Sequence, residues 1–283
     1  MYRRLVNRRL IPALGSVPIA EVSLADLRAL RQQYAQMPSE ANHLLRVTRR
    51  VLQAAIDAGL RPEGSTYAHR VRRLSERRAQ NPTAPEDVWR LFCACAEIRA
   101  GRLDLCHPTM AALFQVVAVT GARPSEIRTL RWSDLTWRRR FVEAELVEHK
   151  TSRDSDAKII VFSELGRGVL LSLNPEAPDD PEWVFPSHTN PGRPYREISR
   201  AWRRVADHVD PSNRICLRDF RSGLATNAAE ANIPLERIQE MLGHRSIVTT
   251  RRYVTIPPRR VAEAQQTVSD SVFAVAKRGG RHG

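Results

Sequence analysis

The chain has no run of about eighteen apolar residues, the length that a membrane-crossing helix requires. No segment is therefore expected to span a membrane. Its N-terminus, Met1-Tyr2-Arg3-Arg4-Leu5, lacks the apolar stretch of a secretory signal. Cysteine is scarce: four are present, Cys93, Cys95, Cys106 and Cys216, and their spacing fits no zinc-ligand set. The expectation is a cytoplasmic chain with reduced thiols and no metal. Cys93 and Cys95 stand two apart in a predicted helix, so they point to different faces. No internal repeat is visible. Acidic residues are also in deficit, 31 Asp and Glu against 45 Lys and Arg, which leaves a formal net charge of +14. That balance favours a polyanionic partner, most commonly nucleic acid.

Hydrophobic residues make up 42% of the 283 residues, enough for one large domain or two ordinary ones with packed cores. Residues 1–60 read as helical. Ser23 is a candidate cap for a helix carrying Leu24, Leu27 and Leu30. A second helix from Ala41 to Gly59 places Leu44, Leu45, Val51, Leu52 and Ile56 on one side and Arg46, Arg49 and Arg50 among its polar positions. Residues 61–85 hold Pro62, Gly64, Pro82 and Pro85 with Arg70, Arg72, Arg73, Arg77 and Arg78, and read as an interdomain connector. Thr83-Ala84-Pro85-Glu86 looks like a helix start.

Met110–Val119 is strongly apolar and ends at Thr120-Gly121. Pro124 suits the first turn of the next helix, which puts Arg123 at a helix N-terminus, where free N–H groups favour an anion. Phe141–Glu148 alternates like a strand and Ala157–Phe162 is a second β-rich run, with Thr151–Asp156 as the hairpin loop and Lys150 beside it. Asn174–Pro194 reads as a surface loop. Helices are expected over Tyr195–Val209, Leu224–Ala231 and Leu235–Leu242, the last stopped by Gly243. Val261, Ala264, Val268, Val272 and Val275 mark an amphipathic tail helix.

One set of residue types stands out for its chemistry. Cutting a phosphodiester without metal requires cations around a pentacoordinate phosphorus, a nucleophile and a proton donor for the leaving oxygen. Guanidinium binds two phosphate oxygens and stays charged, a lysine among cations can give up a proton, and a tyrosine can attack. The chain supplies all of these, although spacing alone does not bring them together.

The stretch Thr120-Gly121-Ala122-Arg123-Pro124-Ser125-Glu126, the stretch Arg218-Asp219-Phe220-Arg221, and Leu242-Gly243-His244 followed by Tyr253 together resemble the active-site boxes of the tyrosine recombinase (phage integrase) family. The resemblance covers residues 85–256 and extends weakly to Leu10–Ile19. It implies a mainly α fold with a small antiparallel β-sheet (α+β). Residues 1–80 would form a SAM-like helical core-binding domain that binds DNA and is truncated at its N-terminus. Residues 81–283 would form the catalytic domain with a helical tail.

The same resemblance assigns roles. Tyr253 is the nucleophile, Arg123 and Arg221 are the catalytic arginines, His244 is a phosphate hydrogen-bond donor, and Glu126 braces the site. Lys150 is the acid, with Lys158 as its competitor. Two registers fit the second box: Arg221 as the arginine with Arg218 in the usual histidine place, or Arg218 as the arginine with Ile215 there. The first leaves no gap before Leu242-Gly243-His244 and is preferred. Arg218 cannot accept a proton at neutral pH, so it departs from the family pattern.

The implied activity is site-specific recombination, the integration or excision of a mobile element through a 3′-phosphotyrosine, with no cofactor. The implied partners are double-stranded DNA, three further copies in a homotetramer on synapsed sites, and an accessory DNA-bending or directionality factor. The implied location is the cytoplasm, in association with the nucleoid, for a protein of prokaryotic, phage or mobile-element origin. Arg46, Arg49, Arg50, Arg72 and Arg73 are candidate DNA contacts. The alternatives are a catalytically impaired DNA-binding relative and a type IB topoisomerase-like enzyme.

Overall fold

The computed structural model describes residues 2–64, 70–76, 83–146, 158–173, 182–213, 215–254 and 258–279. The chain divides into two compact units, Met1–Ala79 and Gln80–Gly283. As the sequence implies, it is mainly helical with a small antiparallel sheet. None of the described helices is long and apolar enough to cross a membrane.

The first unit opens with α1 (Tyr2–Leu5), a π-helical turn over Val6–Leu10 and α2 (Ile11–Leu14). Two longer helices follow, α3 (Leu24–Gln33) and α4 (Pro38–Asp57). Ser23 caps α3 in a reciprocal box: its hydroxyl accepts from Asp26 N at 3.3 Å, and its own N–H donates to the Asp26 carboxylate at 2.8 Å. Leu10, Leu30, Tyr34, Leu44 and Val47 form one core; Val22, Leu27, Leu45, Leu52 and Val71 form a second.

Part of the expected connector is instead a strap on this unit. Val71 is buried, and Leu74 packs against the first core. Asn42, buried in α4, acts like a neighbouring strand: its Oδ1 accepts from Leu74 N at 2.9 Å and its Nδ2 donates to Leu74 O at 2.8 Å. Val71 and Leu74 are outnumbered by their arginine neighbours, so the apolar pattern is hard to see in the sequence.

The second unit is built on α5 (Pro85–Arg99) and α6 (Pro108–Thr120). α6 is buried almost all round, which fits its nearly unbroken apolar sequence. Around it pack α5, α7 (Pro124–Arg128), α8 (Glu164–Leu171), α10 (Asp219–Glu230) and the strand Lys158–Phe162. The sheet runs β1 (Leu135–Trp137), β2 (Val142–Leu146), β3 (Lys158–Phe162), all antiparallel, with Ala144 opposite Ile160 and Leu146 opposite Lys158. Its buried face carries Val142, Ala144, Ile160 and Phe162.

The expected surface loop before residue 194 departs from that reading. Val184 and Phe185 enter the core, and β4 (Pro186–Ser187) pairs with β5 (Asn190–Pro194). Proline and asparagine hid a short hairpin. α9 (Ser199–Val209) starts later than expected, because Tyr195 is buried ahead of it. Trp202 in α9 meets Phe114 and Phe220 edge-on, at centroid distances of 5.2 and 5.4 Å, and its indole N–H donates to Ile215 O at 2.9 Å. This fixes the entry into α10. The chain ends with α11 (Leu235–Leu242), α12 (Ile247–Arg251) and α13 (Pro258–Gly279).

Asn42→Ala is expected to lower the unfolding free energy of the first unit by about 1–3 kcal/mol, because both Leu74 backbone groups lose their partner. Urea denaturation measures this, and a wild-type midpoint would show that the strap does not depend on Asn42.

Candidate active site

The site in the second unit is assembled from the ends of helices. α6 stops at Gly121, which adopts a left-handed conformation with φ 60°. A Cβ there would lie 2.8 Å from Leu224 Cδ2, so glycine also permits the close approach of α10. That approach lets Arg221 Nη1 donate to Gly121 O at 3.0 Å. Two residues later Arg123 caps α7. Glu126, in the first turn, accepts from Arg123 N at 3.0 Å and from Arg123 Nη1 at 2.8 Å.

Lys158 of β3 reaches the same carboxylate, with Nζ 2.6 Å from Glu126 Oε2. Both side chains are buried, at 6% and 8% exposure, so their attraction is weakly screened. Burial pushes the Glu126 pKa up, but Lys158 and Arg123 outweigh it and hold it below the usual carboxylate value. The Lys158 pKa is lowered, first by burial and further by Arg221 and Arg123, against the opposing pull of Glu126.

Arg221 is buried in α10. Its Nη2 donates to Leu242 O at 2.5 Å and its Nε donates to His244 Nε2 at 3.2 Å. Its guanidinium carbon lies 5.7 Å from the centre of the Tyr253 ring. Burial and then Arg123 depress its pKa to about 10, while Glu126 and the Tyr253 hydroxyl oppose the shift. His244 follows Gly243, the left-handed end of α11 with φ 58°, and its ring stacks on Tyr253 at 5.2 Å. The His244 pKa falls to about 4 through burial, then through Arg221, Arg123 and Lys158. Tyr253 is half-buried, its ring packed with Ala225, Ala228, Ile238 and Leu242, and its carbonyl accepts from Thr226 Oγ1 at 3.2 Å. A Cβ on Gly243 would strike the methylene stem of Lys158, so the turn before His244 and strand β3 touch at a glycine.

Arg123, Glu126, Arg221, His244 and Tyr253 thus come together, with Lys158 among them. The Arg218 side chain lies apart from their side-chain hydrogen bonds. It is exposed at the N-cap of α10, one turn before Arg221, while Ile215 is a core residue. Lys150 and the hairpin loop Thr151–Asp156 lie outside the described residues. Arg46, Arg49 and Arg50 are exposed on one face of α4, and Arg72 and Arg73 are exposed on the strap. The sequence reading missed Thr250, which is fully buried and 2.9 Å from His244 Nδ1 through its Oγ1. No periodic signal marks it, because α12 is too short to show a pattern. Among the described residues no His, Cys, Asp and Glu cluster suits a metal ion.

Three cations face one carboxylate, so the site carries surplus positive charge within hydrogen-bond reach of a tyrosine. Comparison with known proteins gives this arrangement a context. A profile of the phage integrase family matches residues 84–259. The chain belongs to the phage integrase family. Among curated relatives of this integrase-family chain, the tyrosine recombinase XerD of Rhizobium meliloti is 31% identical over 197 residues, which cover 64% of this chain and 58% of that protein. A putative integrase/recombinase, y4gC, of Sinorhizobium fredii is 30% identical over 152 residues, which cover 51% of this chain and 75% of that one. The matched segments span about half the length of most of the curated relatives. A crystal structure of a lambda integrase tetramer bound to a Holliday junction shares the fold, with a TM-score of 0.66 at 14% identity over 90% of this chain and 70% of that one.

Two outcomes follow from the electrostatics. Glu126→Gln leaves Lys158 and Arg123 without their counter-charge, and the expected loss is about 3–5 kcal/mol of unfolding free energy by urea denaturation. A loss below about 1 kcal/mol, the worth of an exposed pair, would mean that the pair is not buried in solution. The second concerns pH. The unfolded chain takes up a proton at position 244 near pH 6.5, whereas the folded chain does so only near pH 4. Stability is therefore undiminished by this group above pH 6.5 and falls as the pH drops toward 4, by at most about 3 kcal/mol. His244→Gln should flatten that part of the stability–pH curve, and parallel curves for the two proteins would exclude the assignment.

Proposed function

We propose that this chain is a site-specific DNA recombinase that cuts and rejoins duplex DNA through a 3′-phosphotyrosine at Tyr253. One juxtaposition carries the reading: the Arg221 guanidinium lies between Tyr253, His244 and Gly121, with Arg123 and Lys158 sharing Glu126 nearby. An oxyanion entering this surplus of cations meets a tyrosine.

In this mechanism the scissile phosphate sits against Arg123, Arg221 and His244, whose N–H groups hold its non-bridging oxygens and stabilise the charge of the pentacoordinate state. The Tyr253 oxygen attacks phosphorus as its phenolic proton passes to solvent water. The bond to the 5′ oxygen breaks, and that oxygen takes a proton from a lysine. The energy of the broken ester is kept in the phosphotyrosine, so a 5′-hydroxyl from a partner strand reverses the step. No cofactor takes part. Lys150 is the acid implied by family resemblance. Lys158 competes, since its lowered pKa eases proton release, although its bond to Glu126 favours a bracing role. Glu126 holds Arg123 in place. Arg218 assists as a second-rank phosphate contact, reaching in from the exposed N-cap of α10.

The first unit serves as the core-binding domain, with Arg46, Arg49, Arg50, Arg72 and Arg73 on the DNA backbone. Such contacts position the protein but carry no base information. The working assembly is a tetramer on two paired sites, aided by a DNA-bending or directionality factor. One feature supports this: the similarity to lambda integrase, whose tetramer binds a Holliday junction.

The test is covalent trapping on nicked suicide duplexes taken from the ends of the element that encodes the chain. The wild type should give a protein–DNA adduct, with the mass shift at Tyr253, and Tyr253→Phe should give none. DNA bound tightly without any adduct would overturn the recombinase reading in favour of a non-catalytic DNA-binding relative. Relaxation of any supercoiled plasmid without strand exchange would favour a topoisomerase instead.

A further inference from the structure

The segment from His244 to Tyr253 carries two of the site's functional side chains but has little within it to hold it in place. Its helix, α12, has only five residues, too few to persist on its own hydrogen bonds. Between the two functional residues only Thr250 is buried, while Arg245, Ser246, Val248, Arg251 and Arg252 are exposed. Apolar burial inside the segment is slight, so its position depends on the bonds made at its ends.

Both ends are tied through backbone carbonyls, and both bonds have a fixed direction, because a carbonyl oxygen only accepts. At the first end Gln239 of α11 holds His244 twice. Its own carbonyl accepts from His244 N at 3.0 Å, and its side-chain Nε2 donates to His244 O at 2.8 Å. At the second end the hydroxyl of Thr226, buried in α10, donates to Tyr253 O at 3.2 Å. Thr48 and Thr120 show the common alternative for a helical threonine: their hydroxyls turn back to the carbonyl four residues earlier, Leu44 O at 2.9 Å and Val116 O at 2.7 Å. The hydroxyl of Thr226 points outward to another element instead. Thr226 stands five residues beyond Arg221 on α10, about 7.5 Å along the axis, so one helix carries both the guanidinium and the tether of the tyrosine.

We propose that Thr226 and Gln239 are positioning residues of this site. Gln239 sets where the segment begins and Thr226 sets where it ends, and together they hold Tyr253 in register with Arg221 and His244. Each acts through a main-chain carbonyl and takes no part in the chemistry itself. Their importance for catalysis rests on the reading of Tyr253 as the nucleophile; their hold on the segment does not.

The test uses the full chain and two readouts. Amide hydrogen exchange, read by mass spectrometry on peptides within 244–254, reports how firmly the segment is held. His244 N, Thr249 N, Arg252 N and Tyr253 N are hydrogen-bonded there and report its opening. Thr226→Val, nearly isosteric but without a donor, should speed exchange around Tyr253 roughly tenfold, about the worth of one hydrogen bond, and leave α6 as protected as in the wild type. Gln239→Met should do the same around His244. Unchanged exchange in a folded variant overturns the role of that residue. Equal acceleration in α6 overturns it too, because the bond would then serve the whole unit and not the segment.

The second readout is the single-turnover rate of adduct formation on nicked DNA at saturating protein. Thr226→Val should slow it roughly tenfold with DNA affinity retained. Thr226→Ser, which keeps the hydroxyl, should recover most of the rate and the slow exchange. A wild-type rate in Thr226→Val, or a Thr226→Ser as slow as the valine variant, overturns the catalytic part. Absence of any adduct from the wild type would defeat the Tyr253 reading instead, and the exchange result would still decide whether the two side chains hold the segment.

Discussion

The carboxylate of Glu126 is the interaction on which the rest of the site depends. It is the buried anion that holds the buried Lys158 and the exposed Arg123 together beside the buried Arg221. Without it, mutual repulsion and the cost of desolvation would drive these groups apart or outward. One carboxylate does not neutralise them all. The remaining positive charge is held by the fold, ready for an anion supplied from outside.

The scaffold achieves this by bringing helix ends rather than helix faces to one place. α6 delivers Arg123 just past its C-terminus, α10 delivers Arg221 in its first turn, and α11 delivers His244 just past its last turn. The backbone carbonyls freed at Gly121 and Leu242 become the acceptors that orient Arg221. Hydrogen-bonding groups that each helix end leaves unpaired thus serve a second purpose, and the arginine serves as their cap.

Much of this was legible in the sequence. Helical spacing of apolar residues located α3 and α4, the start signal at Thr83-Ala84-Pro85-Glu86 located α5, a nearly unbroken apolar run located α6, and alternation located β2. The site residues were visible as a set only through their likeness to a family, since no local pattern states that Arg123 and Tyr253 meet. The β4–β5 hairpin and the Val71–Leu74 strap were illegible. In both, a few apolar residues are scattered among proline or arginine, and their partners lie far along the chain. Thr250 was illegible for another reason: a threonine in a short polar stretch carries no mark of the histidine it will touch.

The turn at Gly243 is more selective than its backbone alone would make it. Asparagine is the usual substitute for glycine in a left-handed cap, because its short polar side chain tolerates that conformation. Here the space where any side chain would begin is filled by the stem of Lys158. A side chain at residue 243 would have to push the Lys158 stem aside, and with it the Nζ that is bonded to Glu126, so two positions far apart in sequence are coupled.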